Sequence, residues 1–183
     1  AYHWLEYGQL QLGQNEIAKA MVDSMLQYCT ALPSPRARAH AILLKSTYLA
    51  ETNDYSSPVI DITVDQRDLN IVSRAKNYFV TGMAAYYQKN KMTMDSLIKQ
   101  LADERIIEDL KTTGTGIRMC GNVNRAQTTQ TDLLEAETME MELRAMRAWL
   151  EKDATATENF FKKATELHAK AGYSYGPPSI VKP

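Results

Sequence analysis

Proline is missing from the long middle of this sequence. Of six prolines, none lies between Pro58 and Pro177. A proline inside a helix removes an N–H and clashes with the preceding turn, at a cost of about 3 kcal/mol, so the empty stretch suits long helices. β-Branched runs are scarce, with residues 59–65 (Val-Ile-Asp-Ile-Thr-Val-Asp) the exception. Cysteine is nearly absent: Cys29 and Cys120 lack metal-ligand spacing and are too few for a disulfide framework. Whether those two pair stays open, because a bridge needs Cα atoms within about 7 Å. No apolar run approaches the roughly 20 residues that span a bilayer, and no signal peptide is visible. Neither charge is in excess: 21 basic and 22 acidic residues leave a formal net charge of -1. That balance argues against nucleic acid as the main partner, since phosphate binding wants a strong basic excess, and against docking to anionic lipid.

What remains is the composition of a folded domain. Apolar residues make up 44% and charged residues 23% of the 183, near the averages for globular proteins, and the length allows a sizeable core. The expectation is one domain over residues 1–183. The chain opens Ala1-Tyr2-His3-Trp4-Leu5 without a starting methionine and already in a helical pattern, which reads as a piece of something longer or a processed chain. Apolar spacing predicts about seven helices, near residues 2–12, 15–31, 34–52, 69–89, 93–110, 125–152 and 155–171. In the second helix Ile17, Met21, Met25 and Tyr28 fall on one face. Ser34 suits the N-cap of the third, with Pro35 in its first turn. The β-rich window at 59–65 has no second strand to pair with and reads as an extended connector on the helices. Residues 112–124, with Gly114, Gly116 and Gly121, read as a loop. The sixth helix has two apolar stripes, Leu134, Met141, Ala145 and Ala148 on one side and Met139, Leu143, Met146 and Leu150 on the other. A helix apolar on two sides packs between neighbours on two sides.

Several segments resemble one another in the manner of helical hairpins. Residues 4–18 (Trp-Leu-Glu-Tyr-Gly-Gln-Leu-Gln-Leu-Gly-Gln-Asn-Glu-Ile-Ala) give a helix, a Leu-Gly turn, and Ala18 five residues after Gly13. The last hairpin places Ala145 in its first helix, with Phe161 and Ala164 in its second. Gly82, Tyr86, the turn at Asn90 and Leu97 match more weakly, as do Ile42, Leu49 and the turn at Asn53-Asp54-Tyr55. On these residues the whole chain resembles bacterial tetratricopeptide-repeat proteins of undefined function, and the closing residues 175–183 are similar to theirs. The resemblance implies an all-α, right-handed α-α superhelix of stacked hairpins, with small residues where helices cross. It also implies that a further hairpin often follows such a tail. The turns near Gly13, Asn53, Asn90 and Lys152 lie 40, 37 and 62 residues apart, against 34 in the family, so the array is degenerate and its last unit enlarged.

The chemistry-bearing residues do not assemble into a catalytic motif. His3, His40 and His168 fall on three different helices without His-Glu-x-x-His spacing. The glycines at 114, 116 and 121 precede no Gly-Lys-Ser or Gly-Lys-Thr. Asp61, Thr63 and Asp65 begin like a calcium loop, but Gln66 stands where the glycine belongs and no glutamate closes it. Asp132, Glu135, Glu137, Glu140 and Glu142 make the first half of the sixth helix acidic, with Arg144 and Arg147 after them. This is ordinary helix-dipole patterning, or else an acidic groove wall for a basic partner. Nine methionines suit core filling or an adaptable surface. If the first helix of each hairpin lines an inner groove, its off-core residues are the binding candidates: His3, Tyr7 and Gln11; Leu43, Thr47 and Glu51; Ala84, Tyr87 and Gln88; Glu142, Met146 and Trp149. The leading expectation is a scaffold without catalytic activity, cofactor or metal, whose concave groove binds a protein or peptide. The alternative is a helical accessory or regulatory domain that encloses a small ligand within a larger protein.

Overall fold

In a computed structural model the chain is described over residues 1–32, 34–113 and 128–172, together with Ile180. Among the described residues, seven α-helices and one 3-10 turn account for the regular structure, and no strand occurs. The helices are α1 (Tyr2–Gln11), α2 (Asn15–Ala31), α3 (Pro35–Thr52), α4 (Ile71–Tyr87), α5 (Lys91–Thr113), α6 (Gln130–Leu150) and α7 (Ala154–Ala171). The fold is therefore all-α.

Local chemistry explains where the helices start. The Ser34 hydroxyl accepts from the Ala37 amide at 3.2 Å, with Pro35 at the first helical position. Asn70 caps α4 through the Ser73 amide at 3.0 Å, and Asp153 caps α7 through the Ala156 amide at 2.9 Å. Thr129 and Asp132 form a reciprocal capping box on α6. Each cap satisfies an amide that has no partner within its own helix.

The turns that close α1, α3, α4 and α6 share one device. Gly13, Asn53, Lys89 and Lys152 all carry a positive φ, at 71°, 52°, 55° and 62°. A left-handed residue lets the chain reverse tightly at a helix end. Three of the four are not glycine and so bear the steric cost of that conformation.

Cross-helix pairs fix the directions. His3 meets Thr47 and Gln11 meets Glu51, so α1 and α3 run parallel. Lys45 meets Asn77 and Asn53 meets Tyr87, so α3 and α4 run parallel. Arg74 reaches Glu108 while Tyr78 reaches Gln100, so α5 runs antiparallel to α4. Arg105 pairs with Glu137 while Arg147 pairs with Asp95, so α5 is also antiparallel to α6. Helices α1, α3, α4 and α6 pack one against the next; α2 packs on α1 and α3, α5 on α4 and α6, and α7 on α6.

Helix α3 is followed by no packed helix of its own. Residues 53–70 cover α3 and α4 instead, with a 3-10 turn at Pro58–Asp61. Tyr55, Val59 and Leu69 anchor this connector in the core. Its carbonyls have no sheet ladder to join, and two buried cations of α3 take that place. Lys45 is 2% exposed, and its Nζ donates to the carbonyls of Ile60 at 2.9 Å and Ile62 at 2.8 Å. Arg38 donates to those of Asp65 and Arg67, both at 2.8 Å. Buried backbone acceptors need such partners.

The main core runs from Leu10 and Val22 through Leu44, Leu49, Ile71 and Phe79 to Met139 and Leu143. Gly82 permits the α4–α6 crossing: a Cβ built there lies 2.5 Å from Leu143 Cδ2. The second helix differs from expectation. Met21 is buried, but Ile17 is 50% and Tyr28 53% exposed. Its buried face is centred on Ala18, Met21 and Val22, because α2 has only α1 and α3 to pack against and presents its small side to their crossing. Similarly, Ile107 and Leu110 of α5 are exposed.

Candidate functional site

Helices α1, α3, α4 and α6 each carry expected groove residues, and these separate into two clusters. At the α1–α3 contact, His3 hydrogen-bonds Thr47 at 2.9 Å and the Gln11 amide donates to Glu51 at 3.0 Å. Thr47 is buried, His3, Tyr7, Leu43 and Glu51 are half-buried, and Gln11 is exposed. Tyr7 meets the Trp4 ring edge-to-face at 6.4 Å. The second group lies on α4 and the connector, with Glu142 of α6 in electrostatic reach of Tyr55. The Tyr87 ring, 51% exposed, stacks on Tyr55 at 5.2 Å and meets Tyr86 edge-on at 5.4 Å. The Tyr87 hydroxyl donates to Asn53 Oδ1 at 2.9 Å. Glu142 is 2% exposed, Met146 half-buried and Trp149 61% exposed. Ala84 is buried and Gln88 is exposed at the end of α4.

The second cluster contains a residue that helical spacing could not find. Tyr55 lies in the connector, and only the folding of 53–70 back over α3 and α4 brings its ring onto Tyr87. Burial pushes the Tyr55 phenol above its ordinary range, with Tyr87 and Glu142 adding to the effect. Burial alone raises the Glu142 carboxyl to about 8, and its Oε1 is buried without a hydrogen-bond partner. Three other acids in this half of α6 are engaged. Glu140 accepts from Arg105 and Arg144, Glu137 pairs with Arg105 and Lys163, and Asp132 sits in the capping box.

A polar row crosses the first turns of the parallel helices. Burial lowers His3 to about 4, with Lys76 and His40 reinforcing the shift. Burial also lowers His40 and Lys76, while Glu135 opposes the shift at Lys76. Burial raises Glu135, which Lys76 in turn opposes. Burial thus disfavours the charged form of every member of the row, and the mutual attraction of Lys76 and Glu135 is what opposes it.

Glu6 is a separate case. It is fully buried, neither carboxyl oxygen has a partner, and burial raises it to about 9. The sequence reading did not single it out.

A cleft of about 470 Å³ lies elsewhere, between α5, α6 and α7, lined by Asp95, Ile98, Lys99, Arg144, Arg147 and Phe160 among others. Its charges are internally paired: Arg147 with Asp95 and Glu151, Arg144 with Glu140, Lys99 with Asp103. None of the expected groove residues lines it.

Among the described residues no group of three or more His, Cys, Asp or Glu side chains could hold a metal ion. Asp65, the last member of the calcium-like run, is held by Arg67 at 2.7 Å and Arg38 at 3.4 Å. No helix among the described residues is long and apolar enough to cross a membrane. Cys29 is a free, half-buried thiol. Of the expected loop at 112–124, Thr112 and Thr113 instead continue α5; Cys120 and the rest of that loop lie outside the described residues, as do the closing residues 175–179 and 181–183. No protein-family model matches the chain, and neither does any curated protein or solved structure.

Proposed function

We propose that the chain is a degenerate tetratricopeptide-like scaffold without catalytic activity, which binds a protein or peptide segment along the face of α1, α3, α4 and α6. The observation that carries this reading is the set of four parallel helices in mutual contact, each closed by a left-handed turn, with α2, α5 and α7 packed beside them. Parallel first helices and antiparallel second helices are what a stack of like hairpins produces. Within that frame the connector at 53–70 stands where the second helix of the second hairpin would be. The exposed Tyr87 and Trp149 rings suit a recognition surface, because aromatic side chains contribute large contact area at low entropic cost.

The alternative, a domain enclosing a small ligand, calls for a walled apolar pocket with a few converging polar groups. The cleft between α5, α6 and α7 is bordered by internally paired charges, which favours the first reading. Selection from a random peptide library tests it. Peptides enriched on the native protein are expected to lose at least tenfold in enrichment on Tyr87→Ala and on Trp149→Ala. Both residues are exposed, so the fold survives these changes. Failure to enrich any peptide, or enrichment indifferent to both substitutions, would overturn the proposal.

A further inference from the structure

The cleft of about 470 Å³ between α5, α6 and α7 has the size of a small-molecule site. Its lining divides by chemistry. Ile98, Ala102, Ala148 and Phe160 are apolar, while Lys99, Arg144 and Arg147 outnumber the carboxylates of Asp95 and Asp103. We propose that this cleft binds a small monocarboxylate with an apolar body, its carboxylate held by Arg144. The site is separate from the groove face and stands or falls independently of it.

The pairing of the cleft's charges is complete at Arg147 and incomplete at Arg144. Arg147 donates from Nε and Nη2 to the two oxygens of Asp95, at 2.8 and 3.1 Å, and from Nη1 to Glu151 at 2.6 Å. Every nitrogen of that guanidinium is used. Arg144 donates from Nε to Glu140 at 2.8 Å, and among the described residues its Nη1 and Nη2 donate to nothing. Those two nitrogens are a pair that a carboxylate can take with both oxygens. Glu140 is 2% exposed and also accepts from Arg105 at 3.0 Å, so it holds Arg144 by its third nitrogen. A guanidinium held in advance loses less rotamer freedom when a ligand arrives.

The same bonds select the occupant. A cationic ligand would find both Asp95 oxygens taken and Lys99 beside Asp103 at 3.8 Å. A dianion would want a second uncommitted guanidinium, and Arg147 has no nitrogen to spare. A wholly apolar guest would strip water from the Arg144 nitrogens without replacing their acceptors. One negative charge on an apolar body answers both halves of the lining. Ile98 is buried, and Phe160 packs against the small core of Met141, Ala164 and Leu167, so the apolar surface is fixed before binding. Ala102 and Ala148 keep the space open, because a longer side chain at either position of the lining would occupy it.

The test is calorimetric titration of the full chain with 4-phenylbutyrate, its neutral amide and the cationic 4-phenylbutylamine. The acid is expected to bind saturably at low-millimolar concentration, at least about fivefold more tightly than the amide or the amine. Arg144→Gln should remove the preference for acid over amide, with an unchanged circular dichroism spectrum, since Glu140 keeps Arg105. Ala148→Leu fills the cleft and leaves the Arg144–Glu140 bond in place; it should weaken the acid and the amide alike by at least about fivefold. Lys99→Ala, at an exposed side chain, should change acid binding by less than about twofold. Absence of acid binding, equal binding of acid and amide, or an Arg144→Gln protein that keeps the preference would overturn the assignment. Unchanged binding on Ala148→Leu would overturn the cleft as its location, whatever Arg144→Gln does to α6. A loss on Lys99→Ala as large as that on Arg144→Gln would mean diffuse surface attraction and would overturn the site as well.

Discussion

Replacing Glu6 with glutamine should stabilise the protein at neutral pH, by an amount that grows as pH rises. Glu6 is fully buried, neither oxygen has a partner, and burial raises its carboxyl from the ordinary 4.5 to about 9. The folded protein therefore keeps the proton across a window in which the unfolded chain has lost it. Between about pH 4.5 and 9 the folded state binds more protons, so stability falls as pH rises. Each pH unit costs about 1.4 kcal/mol for one such group. At pH 7, some 2.5 units above the unfolded value, the penalty is about 3 kcal/mol. Glutamine keeps the shape and the unpaired polar atoms but has no proton to take up. Urea unfolding of both proteins from pH 5 to 8 measures the difference. It is expected to be below about 1 kcal/mol at pH 5 and to reach about 3 kcal/mol at pH 7. Parallel stability curves would refute the reasoning and mean that Glu6 is hydrated or paired in solution. The raised Glu142 carboxyl adds its own slope to both curves and cancels in the difference.

Other substitutions probe the remaining joints of the fold. Lys45→Met removes the two charge-assisted bonds to the Ile60 and Ile62 carbonyls; it should cost about 2–4 kcal/mol in urea unfolding and expose residues 53–70 to limited proteolysis. Lys89→Gly and Lys152→Gly relieve left-handed strain at φ 55° and 62°, and each should add about 0.5–1 kcal/mol by thermal melting. Gly82→Ala places a methyl against Leu143; it should cost about 1 kcal/mol net of the helix-propensity gain, and Leu143→Val in the same chain should recover most of that loss.

Much of the architecture was legible because it rests on local signals. The proline-free middle, the Ser34 cap and the two apolar stripes of α6 each report a short-range constraint, and each corresponds to an observed feature. Helix α2 was misjudged on its buried face, since Ile17 and Tyr28 fit a helical stripe equally well whether the helix is flanked on one side or two. The site was less legible. Tyr87 and Trp149 each follow from spacing along their own helix, α4 and α6, and both are exposed. Tyr55 does not, because its place is set by a connector whose path depends on Lys45 and Arg38 binding carbonyls 15 to 29 residues away. Glu6 was not singled out and Glu142 was expected to line a groove, because nothing in one-dimensional periodicity marks a charged residue that tertiary packing encloses. Their signature is the pairing of burial with an empty hydrogen-bond shell, which exists only in three dimensions.

The central claim is that the parallel row α1, α3, α4 and α6 presents the face that a polypeptide guest occupies. Amide chemical-shift mapping with a library-selected peptide tests this most directly. Shifts concentrated on Tyr7, Gln11, Tyr87, Gln88, Met146 and Trp149, with the α5–α7 cleft around Lys99 and Phe160 undisturbed, are the predicted result. Shifts confined to that cleft, or to the outer helices α2, α5 and α7, would contradict it.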